Sequence, residues 1–165
     1  MAWAFMASRS PVSGEVPREG PSLKARAMRL LARREHSREQ LRRKLAARAQ
    51  EGEDIEAVLD DLQKRGWLSD VRYAEQSIRA KSRRFGPVKL AHALRAQGVD
   101  EATIEAGFRA AGVEGTASID KVWASRFGAP AADEREKARQ VRFLQGRGFP
   151  LEDIFKFLKQ FPRTP

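Results

Sequence analysis

An all-α fold is predicted, built as three tandem three-helix repeats that form an elongated, curved array. Three observations predict it. Helix-length apolar segments follow one another, separated by cap residues. The same apolar pattern recurs at a fixed interval. Aromatics make up only 8% of the 165 residues, so thin helical layers suit the chain better than one thick core. The repeats are expected at residues 22–66, 67–113 and 114–165. Residues 1–21 mix Pro, Gly and Ser without a sustained period and are expected to be a disordered tail, or sequence upstream of the true start.

Ser22 can cap a first helix running to about Arg34. Ser37 with Gln40 has the form of a capping box and opens a second helix, with Leu41, Leu45 and Ala49 at four-residue spacing. Ile55, Leu59 and Leu62 mark a third, ended by Gly66, a natural residue for the left-handed position after a helix. In the second repeat Ser69 caps a helix carrying Tyr73, Ser77 or Ile78, and Lys81, which stops near Phe85 and Gly86. Pro87 suits a first helical position, where its missing N–H does no harm. Leu90 and Leu94 face one way, and Gly98 closes that segment. Asp100 caps a helix with Ile104 and Phe108, ended by Gly112. In the third repeat Trp123 and Phe127 lie on a helix that stops before Gly128 and Pro130. Asp133 with Glu136 is a second capping pair, followed by Val141, Leu144 and Gly148. Ile154, Phe157, Leu158 and Phe161 share one face of the closing helix.

The repeat register is direct. Leu45, Leu94 and Leu144 correspond, spaced 49 and then 50 residues apart, and each is followed ten residues later by Ile55, Ile104 or Ile154. Leu59, Phe108 and Leu158 stand four residues further on, and Ala49, Gly98 and Gly148 fall in register, with Gln50, Val99 and Phe149 behind them. A three-helix unit of this size is near the lower limit for folding alone, so neighbours in series must cover one another's open faces. Such an array suits a long partner better than a pocket suits a small one.

Charge limits the partner. Lys and Arg number 32 against 22 Asp and Glu, a formal net charge of +10, which favours a polyanion or an acidic protein surface. The excess is patterned. Residues 23–50 hold ten basic residues with only Glu35 and Glu39 as acids, whereas 51–66 hold six acids against Lys64 and Arg65. In the second repeat Arg72, Arg79, Lys81, Arg83, Arg84, Lys89 and Arg95 oppose Glu75 alone, and 99–120 turns acidic. The third keeps Arg135, Lys137, Arg139, Arg142 and Arg147 in its middle. Arg38 with Arg42, Lys44 with Arg48 and Arg135 with Arg139 place like charges four residues apart, a repulsion that a phosphate- or carboxylate-binding face tolerates. A merely solvated basic face is the competing explanation for any one helix.

Catalytic and metal chemistry find little purchase. There is no cysteine, and the two histidines, His36 and His92, lack ligand-like spacing, so no disulfide, structural metal or cofactor is expected. No phosphate-cradling G-x-x-x-x-G-K-[ST] loop and no G-x-S-x-G elbow occurs. Ser37 beside His36 is better explained as a cap, and His92 as a partly buried surface residue. No enzymatic role is expected. No apolar run approaches the about 18 residues of a membrane span, and the apolar opening of residues 1–7 is short for a signal peptide, so a cytoplasmic location is expected.

Three stretches give the sequence a family likeness: Gly66-Trp67-Leu68-Ser69-Asp70-Val71-Arg72-Tyr73-Ala74; Arg84-Phe85-Gly86-Pro87 with Leu94 and Gly98-Val99; and Arg142-Phe143-Leu144 with Arg147-Gly148-Phe149. Together, in this order, the chain resembles the RecX family of bacterial recombination regulators over about residues 23–161. It departs from the family pattern where Gln50-Glu51-Gly52-Glu53 replaces a glycine and an apolar residue, and its first residues have no counterpart. The resemblance implies binding in the groove of the RecA–DNA filament, with inhibition of ATP hydrolysis, strand exchange and filament growth. It also implies some affinity for single- and double-stranded DNA without sequence specificity, and a monomer. The basic residues expected to contact recombinase or DNA are Arg42, Arg43, Arg79, Lys81, Arg83, Arg84, Arg142 and Arg147. Gly66, Trp67, Leu68, Asp70, Arg72 and Tyr73 form the inter-repeat motif, with the Tyr73 ring in the seam and Arg72 pairing locally. Two other classes compete. One is a general basic DNA-binding module, although no helix gathers the base-reading residues of a sequence-specific reader. The other is a scaffold for an acidic protein, with no filament involved.

Overall fold

The computed structural model describes residues 20–112 and 119–161; the expected tail, apart from Gly20 and Pro21, lies outside the described residues. Helices α1 (Leu23–Leu31), α2 (Arg38–Ala46) and α3 (Ile55–Lys64) are followed by α4 (Asp70–Lys81), α5 (Pro87–Arg95) and α6 (Glu101–Ala111), then by α7 (Ile119–Ala124), α8 (Glu134–Arg147) and α9 (Leu151–Leu158). Among the described residues there is no strand. The architecture is all-helical and arranged as tandem triplets.

Helices of six to fourteen residues are marginal in water on their own, so each needs a packed face. Helix packing runs within triplets, and α4 against α6 is the most extensive contact. Three separate cores result. Leu23, Ala27, Leu41, Leu45, Leu59, Leu62 and Leu68 form the first. Tyr73, Ala74, Ile78, Leu90, Leu94, Val99 and Ile104 belong to the second. Ile119, Val122, Trp123, Leu144, Phe149, Ile154 and Phe157 make the third, with Trp123 edge-on to Phe157 and stacked on Phe161. The closeness of α4 and α6 has a steric cause: a Cβ on Gly107 would stand 2.6 Å from that of Ala74.

Caps fall where the sequence places them. Ser22, Ser37, Ser69, Asp100 and Asp133 each accept a backbone N–H from the first turn of the helix they precede. Helix ends come earlier than expected, at Leu31, Ala46, Lys81, Ala124 and Leu158. Phe127 and Phe161 were expected inside helices because they are apolar, and Phe85 at a helix end; all three sit in the turns just beyond and fold back onto the cores.

The triplets meet through the same joint twice. Gln97 and Gly98, at the end of α5, rest on the start of α2; Arg147 and Gly148, at the end of α8, rest on the start of α5. Ser37 Oγ donates to Gln97 O at 2.7 Å in the first joint. In the second, Gly86 N–H donates to Arg147 O at 2.8 Å and Val88 N–H to Gly148 O at 3.1 Å. The carbonyl end of one helix thus faces the amide end of the next, the favourable alignment of helix dipoles. Both glycines are left-handed, with φ +76° and +94°, and neither position has room for a side chain: a Cβ would lie 2.6 Å from Glu39 Cβ at Gly98 and 2.7 Å from the Lys89 backbone nitrogen at Gly148. Their register partner Ala49 forms no such joint among the described residues. This accounts for the missing glycine in the first repeat.

Candidate nucleic-acid interface

Much of the basic character of the first triplet is used internally. Arg38 lies between Glu56 and Asp60 at 2.6 and 2.8 Å, and Lys24 and Arg65 share Asp61 at 2.6 and 2.7 Å. Basic α1 and α2 therefore partly neutralise acidic α3. Arg42 and Arg43 both hold Glu39, each at 2.7 Å, and their hydrogen bonds lower its pKa to about 2. These two expected contact residues share one carboxylate and so present less free charge than their number suggests. Arg79 pairs with Glu75 at 2.9 Å and donates to Ala110 O at 2.9 Å, tying α4 to the end of α6.

The inter-repeat motif builds the first joint. Gly66 is left-handed, with φ +72°, which lets the chain leave α3 with the Trp67 N–H donating to Leu62 O at 2.9 Å. Leu68 drops into the first core, and Trp67, 43% exposed, has the cationic ends of Lys24 and Arg65 over its ring at 5.9 and 5.4 Å from the centre. Asp70 Oδ1 accepts the Arg38 N–H at 2.7 Å, and burial holds its carboxyl above the ordinary aspartate range. Tyr73 is buried, and its hydroxyl accepts from Gln40 Nε2 at 2.8 Å, while the same amide donates to Gln97 Oε1 at 2.9 Å.

Two expectations change here. The Gln40 side chain turns to the second triplet, so Ser37 and Gln40 form half of a capping box and half of a joint. Arg72 was expected to pair locally, but its Nε donates to Glu35 Oε1 at 2.8 Å across the joint, because the first turn of α4 lies beside the α1–α2 corner. His36 occupies that corner, buried, with Nδ1 3.0 Å from Arg34 O. Burial pushes its pKa below the usual 6.5. His92, in contrast, is exposed on α5.

At the second joint cations converge. The Phe85 ring has Lys89 at 4.8 Å, Arg84 at 5.7 Å and Arg147 at 5.9 Å from its centre, and Arg147 also lies 5.0 Å from the Phe143 ring. The joint itself creates this cluster, since Arg84 and Lys89 come from the second triplet and Arg147 from the third. None of the three has an acidic partner among the described residues, and neither do exposed Lys81, Arg83 and Arg142. Three cations around one aromatic ring gather positive charge suited to phosphates or carboxylates. Among the described residues no cluster of His, Asp and Glu could hold a metal ion, and no helix is long and apolar enough to cross a membrane.

Family models describing the first, second and third three-helix domains of RecX match residues 24–62, 69–107 and 114–158 in that order. The chain belongs to the RecX family. A protein of Chromobacterium violaceum named Regulatory protein RecX is 44% identical over 140 residues, which cover 85% of this chain and 91% of that one. A protein of the same name from Neisseria meningitidis is 46% identical over 138 residues, covering 84% and 90%. The crystal structure of RecX from Lactobacillus salivarius shares the fold, with a TM-score of 0.65 at 18% identity over 84% of this chain and 96% of that one. The RecX-like stretches Arg84-Phe85-Gly86-Pro87 and Arg147-Gly148-Phe149 face each other across the second joint. Gln97 was not singled out from sequence, Gln40 was read only as a capping residue, and Lys89 only as one basic residue of the second repeat. The signal available was the register glycine, which marks a close approach without saying what approaches.

Proposed function

We propose that the protein binds the RecA–DNA filament and lowers RecA activity, namely ATP hydrolysis, filament extension and strand exchange, without a reaction of its own. Membership of a family whose relatives are named regulatory proteins supports this reading, and the Phe85 cation cluster is the observation that carries it to a surface. Arg83, Arg84, Lys89, Arg142 and Arg147 would meet filament phosphates or acidic recombinase side chains. Arg42, Arg43 and Arg79 would contribute more weakly, since their charge is already shared with Glu39 and Glu75. The protein would act as a cytoplasmic monomer.

The test is the ATPase of RecA on single-stranded DNA, titrated with this protein. A dose-dependent fall in rate supports the reading, and Arg84→Gln with Arg147→Gln is expected to raise the half-inhibitory concentration about tenfold, the loss of one to two kcal/mol of charged contact. Binding to bare DNA equal to filament binding, with no change in ATPase, would leave the general DNA-binding module as the better account.

A further inference from the structure

We propose that the cleft between the C-terminal halves of α1 and α2 is a second, separate binding site, for the phosphodiester backbone of a single nucleic-acid strand. It deepens the reading above by placing bare DNA on the first triplet, away from the Phe85 cluster. The cleft is open to solvent, about 1020 Å³ in volume, and is lined by Arg26, Arg29, Arg33, Lys44 and Arg48, with no acidic residue in its wall. Leu30 lies on its apolar floor.

The cations exceed what the fold needs there. Two helix C-termini meet at the cleft, each carrying roughly half a negative charge. Five cations over-neutralise them several-fold. Arg26 is engaged, donating to the Arg48 carbonyl with Glu53 at 3.9 Å. The side chains of Arg29, Arg33, Lys44 and Arg48 are exposed and have no acidic partner among the described residues.

Repeat symmetry supplies an independent observation. The equivalent crevice in the second triplet, between α4 and α5, is only about 120 Å³. Ala93 and Gln97 stand there in place of Lys44 and Arg48, and the Gln40 amide of the first triplet bonds the Gln97 side chain. The first triplet has no neighbour on this side among the described residues, so its crevice stays wide, and five cations line it where Lys81 alone lines the covered one.

At about 1020 Å³ the cleft is far larger than a lone ion needs, and its open side leaves room for a strand to run through. Arg29 and Lys44 lie in the last turns of α1 and α2, and Arg33 and Arg48 in the turns just beyond them, so both walls of the cleft carry a pair of cations. No aromatic side chain lines the wall, so bases have no stacking platform and binding should be insensitive to sequence.

The test is fluorescence anisotropy of a labelled oligo-dT, and of a duplex of equal length, titrated with the full chain over a salt series and without recombinase. The variant is Arg29→Gln, Arg33→Gln and Lys44→Gln together, with helicity checked by circular dichroism. It is expected to bind oligo-dT at least about tenfold more weakly and to lose about 2 from the log–log salt slope, near 0.7 per phosphate contact. The control Arg84→Gln with Arg147→Gln should keep most oligo-dT affinity. Unchanged affinity and slope in the triple variant overturn the proposal, as does duplex bound more tightly than the single strand. Lost oligo-dT binding with RecA inhibition intact would uphold this site and leave the regulatory reading standing; the reverse would overturn this site alone.

Discussion

A methyl group at Gly148 would meet the Lys89 backbone, whereas one at Gly66 would meet nothing within 4 Å, although both residues are left-handed. Gly66→Ala should therefore cost only the left-handed penalty of about 1–2 kcal/mol, and Gly148→Ala that penalty plus separation of the second joint, readable as a larger fall in urea midpoint. Ala49→Gly should cost less than about 1 kcal/mol. Titration is also residue-scale. His36 is neutral and buried with a lowered pKa, so the unfolded chain takes up the proton first, and stability should decline as pH falls below 6.5. His36→Asn keeps a donor toward Arg34 O and should flatten that part of the pH–stability curve. Glu39 acts lower: its depressed pKa gives stability above about 4.5 that disappears as pH falls toward about 2, and high salt should weaken it because the group is exposed. The caps and the glycines after helices were legible because each answers a local backbone need. Gln40 and Arg72 were not, since their partners lie across a joint that no local pattern describes.

Helices were legible as to existence and order, and less so in their ends. Phe85, Phe127 and Phe161 illustrate why: burial makes a residue apolar whether it lies in the last turn or just beyond it. Packing within a triplet sets the next predictions. Leu94→Ala or Ile104→Ala removes a side chain at the centre of the second core and should cost about 2–5 kcal/mol. In the third, Trp123 Nε1 donates to buried Gln140 Oε1 at 2.9 Å, linking α7 to α8. Trp123→Phe orphans that oxygen and should cost about 1–3 kcal/mol, measured by urea unfolding, even though an aromatic ring remains. The alternation of basic and acidic helices was plain in the sequence. Its meaning was mixed, because α3 satisfies Lys24 and Arg38 from within. Charge counting cannot separate cations that hold the fold from cations left over.

Three cores with no shared centre predict that stability is close to a sum of triplets plus joints. A chain ending at Gly112 should keep its helical circular dichroism and melt cooperatively at a lower temperature than the full chain; collapse of all helicity would show that the triplets are not separable. The repeat interval was legible because a recurring joint demands a recurring residue. The cation cluster at Phe85 was not, since its members lie about sixty residues apart in the chain and only the joint unites them. Each coupling is also one-way, with a glycine-bearing tail seated on an amide-bearing head. At the outer head, Asp133 and Glu136 already occupy the amides of Glu136 and Ala132, and at the outer tail Ala49 stands where only glycine would pass. With no glycine at the outer tail of the described row, copies of the chain are expected not to couple head to tail, which sedimentation at rising concentration would check.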